Sequence, residues 1–187
     1  MNMDKWYTRT GDDGYTGVLG RGRVPKYAER PDAYGTVDEA SAFLGLARAQ
    51  VGDRRLRDML LLLQRDLYKL MGDLATLPET ATRPPWLATE RLDWLEQATN
   101  QLGSEIELPR AFIVPGDSPG GATLEVARTV VRRAERLVAK LSHDGELRND
   151  TPLRYLNRLS SLLFVMGRIE DKAEGVEQFT LAADDPA

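Results

Sequence analysis

Arg128-Thr-Val-Val-Arg-Arg-Ala-Glu-Arg136 sits inside a longer run whose apolar positions, Leu124, Ala127, Val131, Ala134, Val138 and Leu141, recur at spacings of three and four. That is the period of one helical face lying on a core. Arg128, Arg132 and Arg136 follow one another at four-residue steps on a different face, with Glu135 alongside. Guanidiniums in file repel one another unless an anion lies over them. A carboxylate from elsewhere in the chain or a polyphosphate would serve, because the planar fork donates two parallel hydrogen bonds. The other reading is a solvated face, where most helical arginines stand.

Working outward from this helix, the same period recurs four more times. A first helix opens near Pro31-Asp32 and runs to about Gln50, with Val37, Ala40, Leu44 and Ala47 as its buried stripe and Gly52 as its stop. In the second, Leu56, Met59, Leu60, Leu63, Leu67, Leu70, Met71 and Leu74 keep the alternation for about five turns. Pro78 and the Pro84-Pro85 pair interrupt the chain before a shorter helix, about 88–102, carrying Leu92, Leu95, Ala98 and Leu102. Pro109, Pro115 and Pro119 with Gly116, Gly120 and Gly121 break it again before the arginine helix. A fifth helix opens at Thr151-Pro152, read as a cap followed by proline at the first helical position, and continues through Leu156, Leu159, Leu163, Met166 and Ile169. The fold class expected is all-α, a five-helix bundle with a long ordered Gly-rich N-terminal loop and no strand pair. One domain covers 1–187, with the loop over 1–30, the bundle over 31–173 and a small acidic tail over 174–187 that frays.

Composition narrows the function classes. The chain has no cysteine, so thiol nucleophiles, disulfides and zinc–thiolate sites are excluded. Its single histidine, His143, rules out centres needing two imidazoles from one chain, and its place near a helix end fits a dipole partner. No metal-ligand set is expected. A net charge of −4 gives no global case for nucleic acid or an anionic membrane, so any anion site must be local. The segment from Met1 to Tyr7 lacks a signal-peptide core, and no run of 18 apolar residues occurs, so a cytoplasmic protein is expected.

Four constellations could carry chemistry. The stretch from Thr8 to Lys26 holds five glycines and a proline, and successive N–H groups in such a turn can form an anion-binding nest. Thr8, Thr10 and Thr16 offer hydroxyls there, Arg9 and Lys26 offer charge, and a plain connecting turn is the alternative. On the first helix Tyr34, Asp38 and Ser41 share a face away from the apolar stripe. Asp38 is either a solvated carboxylate or the partner of an arginine from the fourth helix. Asn157, a poor mid-helix residue, either bonds a neighbouring helix or meets an adenine or ribose edge. Phe112, just before a Pro-Gly turn, is either core or the wall of an apolar cavity.

Together these motifs resemble the PduO-type corrinoid adenosyltransferases, the ATP:cob(I)alamin adenosyltransferases. The resemblance is carried by Tyr-Thr-Arg-Thr-Gly-Asp at 7–12, Lys26, Tyr-Gly-Thr-Val-Asp-Glu at 34–39 and Phe-Ile-Val-Pro-Gly at 112–116. It continues in Ala-Arg-Thr-Val-Val-Arg-Arg-Ala-Glu-Arg at 127–136 and Tyr-Leu-Asn-Arg-Leu-Ser at 155–160, and it spans about residues 7 to 170. It implies a homotrimer with sites at subunit interfaces that moves the adenosyl group of ATP, with Mg²⁺, onto reduced cobalamin. A cobalamin-dependent mutase is the implied further partner. By the same resemblance Thr8, Arg9, Thr10, Gly11, Thr16 and Lys26 would fold around the triphosphate. Arg132, Glu135, Arg136 and Asn157 would complete the nucleotide site. Asp38 would pair with Arg132 across an interface, and Phe112 would lie under the corrin ring. The chain departs from the family pattern at Ser161, where an Asp is usual, at Glu125, where a His is common, and in the stretched turn Pro-Gly-Asp-Ser-Pro-Gly-Gly at 115–121. A non-catalytic bundle that binds ATP or a corrinoid, as carrier or sensor, is the competing function class.

Overall fold

The computed structural model describes residues 6–20 and 22–183; the parts of the loop and tail readings that fall on 1–5, Arg21 and 184–187 lie outside the described residues. Five helices make up the bundle: α1 (Glu29–Gln50), α2 (Arg54–Ala75), α3 (Glu90–Gly103), α4 (Pro119–His143) and α5 (Thr151–Ala173). The periodic apolar residues form one core. Val37, Leu44, Leu63, Leu70, Val131, Val138, Leu159 and Met166 are all fully buried. Helix α4 lies against both α1 and α5, α1 also packs on α2, and α3 closes on α5. The short connection Val51–Asp53 makes α1 and α2 antiparallel neighbours, and Asp53 caps α2 by accepting from the Arg55 N–H at 2.7 Å.

Five expectations need correction. The N-terminal segment contains a small antiparallel hairpin, β1 (Tyr15–Gly17) with β2 (Arg23–Pro25), in which Thr16 faces Val24. Three residues a side are too few to show an alternating pattern, so the pairing leaves no periodic trace in the sequence. Thr151 does not cap α5. Asp150 occupies the cap position without a side-chain bond, Asn149 Oδ1 accepts the Thr151 N–H at 2.9 Å, and Pro152 falls in the first turn. The first helix begins two residues before Pro31, and Gly120 and Gly121 lie in the first turn of α4 instead of ahead of it. The last correction concerns the tail, which does not fray over 176–182. The Val176 N–H donates to the Asp171 carbonyl at 3.0 Å, and an antiparallel bridge joins Leu181 to Ile113.

Buried polar groups tie the helices at defined levels. Asp66 on α2 accepts from Arg91 Nε on α3 at 2.7 Å and from the Tyr155 hydroxyl on α5 at 3.0 Å. Burial, and then the Asp66 charge, push the Tyr155 phenol well above its ordinary range, so it stays a donor. Arg30, buried at the start of α1, donates to the Leu74 carbonyl at 2.5 Å and to Glu146 at 2.7 Å. At the far end, Ser118 accepts the Gly121 N–H at 3.0 Å as the α4 cap and donates to Asp171 at 2.6 Å. A side chain at Gly121 would collide with Asp171, which explains a glycine in that turn.

Candidate functional site

The hairpin folds its own loop into a cavity of about 360 Å³. Thr8, Arg9, Thr10, Gly11, Thr16 and Lys26, the six N-terminal candidates, all line it. Tight turns build its floor: the Asp12 N–H bonds the Arg9 carbonyl at 3.3 Å and the Gly14 N–H bonds the Gly11 carbonyl at 3.2 Å. Arg9 has φ 59°, the left-handed region. That conformation costs a non-glycine residue about 1–3 kcal/mol and is concentrated at functional turns. Thr8 and Thr10 share a hydroxyl–hydroxyl bond of 2.8 Å, and Lys26 Nζ reaches the Gly11 carbonyl at 2.8 Å.

Arg23, on the same wall, is a residue the sequence reading passed over. Its guanidinium holds Asp13 through two bonds of 2.7 and 2.8 Å and donates to the Thr10 carbonyl at 2.5 Å. The Arg23 bonds, together with the Tyr15 N–H, hold the Asp13 carboxyl below its ordinary range. Asp13 thus consumes the Arg23 charge, leaving Arg9 and Lys26 as the cations open to an anion. The only sign of this in the sequence is a basic residue facing an acid across a glycine-rich turn, which periodicity cannot detect.

On α4 the arginine row divides. Arg128 is half-buried and donates to Glu125 at 2.7 Å, so its anion comes from its own helix. Glu125 is itself buried, with Arg168 Nη2 at 3.8 Å, while Arg168 stands 2.9 Å from Asp171. Arg132 and Arg136 stay exposed, and Arg136 Nη1 donates to the Arg132 carbonyl at 3.1 Å. Glu135 accepts from Asn157 Nδ2 at 2.8 Å, joining α4 to α5. Within one chain Asn157 therefore takes the interhelical reading. Asp38 is exposed, and among the described residues neither it nor the Arg132 guanidinium has a hydrogen-bond or ion-pair partner. The α1–α4 ion pairs that do form among the described residues are Glu39 with Arg133 and Glu29 with Lys140.

Phe112 is not core: it is 88 % exposed. It also lies toward the opposite end of α4 from Arg136. The α4 cap at Ser118, six residues past Phe112, is about 27 Å along the helix axis from Arg136 at the usual rise per residue. The hairpin, in contrast, is at the Arg136 end. Lys140, one turn beyond Arg136, meets Glu29 at 2.5 Å, and Glu29 follows Lys26 by three residues.

The cobalamin adenosyltransferase family model matches residues 6–170, which spans the hairpin, Phe112 and all five helices up to Glu170. The chain belongs to that family. Corrinoid adenosyltransferases of Bacillus subtilis and Mycobacterium bovis are 39 % and 41 % identical to it, covering 92 % and 90 % of this chain and 89 % and 90 % of their own. A PduO-type ATP:corrinoid adenosyltransferase of Lactobacillus reuteri, solved as a phenylalanine variant complexed with cobalamin and ATP, superposes with a TM-score of 0.90 at 29 % identity. That match covers 97 % of this chain and 98 % of the other. In this family member Glu125 is held inside the chain by Arg128 of its own helix. The described part of this family member contains no helix long and apolar enough to cross a membrane.

Proposed function

We propose that the chain transfers the 5′-deoxyadenosyl group of ATP to cob(I)alamin, giving adenosylcobalamin and triphosphate. The observation that carries this reading is the convergence of Thr8, Arg9, Thr10, Gly11, Thr16 and Lys26 on one cavity of triphosphate character. The cobalt(I) lone pair attacks the 5′-carbon, the C5′–O bond breaks, and the triphosphate leaves with that electron pair. So strong a nucleophile needs no general base. The protein's work is to hold the reactants in line and to meet negative charge growing on the leaving group. Arg9, Lys26, Arg132 and Arg136 supply cations for that, and Thr8, Thr10 and Thr16 supply hydroxyls. Magnesium enters with the nucleotide, sharing the charge of its phosphates.

The assembly is a homotrimer with sites between subunits. Support comes from Asp38 and the Arg132 guanidinium, neither of which meets a partner among the described residues, and from Phe112 lying toward the opposite end of α4 from Arg136. Across an interface Asp38 meets Arg132, and Phe112 of one subunit walls a corrin bound over the nucleotide of another. The reaction belongs in the cytoplasm, where ATP is supplied, and a cobalamin-dependent mutase is the class of protein that consumes the product.

Purified protein with ATP, Mg²⁺, cobalamin and a reductant is expected to form adenosylcobalamin, read from its absorbance; no ATP-dependent product would sink the assignment. Phe112→Ala is expected to slow adenosylation by roughly tenfold when enzyme-bound cob(II)alamin must first be reduced to cob(I)alamin by the added reductant, since one aromatic contact is worth about 0.5–1.5 kcal/mol beyond its area. ATP affinity should change little. An unchanged rate would remove Phe112 from the mechanism.

A further inference from the structure

Phe112 belongs to a long non-helical connection between α3 and α4, and the bundle itself scarcely holds it. Among the described residues of 106–117, the backbone hydrogen bonds to other parts of the chain all run to the C-terminal tail. The Val114 N–H donates to the Thr180 carbonyl at 2.8 Å, and the Phe112 carbonyl accepts from the Ala182 N–H at 2.8 Å. Asp117, in the stretched turn that departs from the family pattern, closes this ladder. Its carboxylate accepts from the Thr180 N–H at 3.0 Å and from the Thr180 hydroxyl at 2.6 Å. The tail is fixed one residue earlier by Phe179, whose ring lies 5.6 Å from the Arg168 guanidinium and 5.0 Å from Lys172 Nζ. Phe179 and Leu181 then wall a cavity of about 690 Å³ with Ile106 and Leu108.

We infer that Asp117 and Thr180 are positioning residues for corrinoid binding: their clasp ties the tail to the 112–114 strand and so sets where Phe112 presents its ring. This rests on the adenosyltransferase reading above and adds to it a determinant outside the nucleotide cavity. Apart from its two backbone bonds to the tail, the 112–114 segment depends on the clasp, so losing the clasp loosens the tail and Phe112 with it without unpacking a helix. A bond between a neutral donor and a charged carboxylate is among the stronger ones, and Asp117 accepts two.

The test compares the full-length parent with Asp117→Ala, Thr180→Val and Thr180→Ser. Asp117→Ala is expected to raise the KM for corrinoid about five- to tenfold, and Thr180→Val about two- to threefold, with the KM for ATP unchanged. Thr180→Ser should restore parental values, because the hydroxyl donor returns. Amide exchange at Val114 and Ala182 should rise at least about tenfold in Asp117→Ala. Faster exchange with an unchanged corrinoid KM would overturn the inference, since the clasp would then hold the strand to no catalytic purpose. Unchanged exchange would also overturn it, because the clasp would not be holding the strand. A parent protein that forms no adenosylcobalamin would overturn the underlying reading and this inference with it, and only that outcome affects the parent.

Discussion

Arg132→Ala is expected to lower adenosyl transfer by about 10²-fold or more while leaving the thermal midpoint near that of the parent. The stability half of this expectation follows from the side chain's exposure and its lack of an intrachain partner among the described residues. Substitutions at such positions usually stay within about ±0.5 kcal/mol. The rate half follows from what an unneutralised guanidinium can do. A preorganised cation facing the leaving group stabilises charge that appears only as the C5′–O bond breaks, and removing one such donor typically costs on the order of 10²–10³ in turnover. Arg133→Ala is the internal control, because that guanidinium already pairs with Glu39 and should leave the rate nearly intact. If Asp38 and Arg132 act as a pair across subunits, Asp38→Asn should give a similar loss, and the double variant should be little worse than either. Steady-state formation of adenosylcobalamin, with oligomer size checked by light scattering, reads all four. A near-parental rate for Arg132→Ala would return this face of α4 to ordinary solvated surface.

Asp66→Ala is expected to destabilise the chain by about 3 kcal/mol, because it removes one partner of a buried pair. At this chain length that lowers the thermal midpoint by roughly 6–12 °C. Asp66 is 3 % exposed and is the shared acceptor of Arg91 on α3 and Tyr155 on α5. Alanine leaves the Tyr155 hydroxyl buried without a partner and turns Arg91 loose at the α2–α3 seam. Tyr155→Phe removes only one bond to a charged acceptor and should cost less, about 1.5 kcal/mol. Calorimetry on the two variants ranks them. Equal or negligible shifts would mean that the three-helix junction is held by its leucines alone.

Much of the bundle could be read from period alone. Leu124, Ala127, Val131, Ala134, Val138 and Leu141 are buried as their spacing requires, and so are the stripes of α1, α5 and, apart from the half-buried Met59 and Met71, α2. Arg128, Arg132 and Arg136 also share a face as read, but spacing could not tell that Glu125 consumes the first while the other two stay open. The buried charges were harder still. Arg168, Glu170 and Asp171 sit at the end of α5, where its apolar pattern closes at Ile169; Gly52, Ser118 and the α4 glycines close on Glu170 and Asp171 from distant parts of the chain, and Arg168 lies beside Asp171 and Glu125. Phe112 went the other way. An aromatic before a Pro-Gly turn suggests burial, yet the ring stands in the open, because its strand is held by the tail and not packed under a helix.

The order of residues by itself determined the five helices, the core stripes, the exclusion of thiol and two-histidine chemistry and which N-terminal residues to look for around one cavity. All of these depend on neighbours within about one or two helical turns, or on the plain presence of a side chain. Only the tertiary structure decided that the loop is a hairpin with Asp13 locked on Arg23, that Asp66 joins three helices, and that the tail carries Phe112. Each of those contacts spans between ten and eighty-nine positions of chain. A contact at that range is set by where the packed helices bring two segments, and no local pattern encodes that placement.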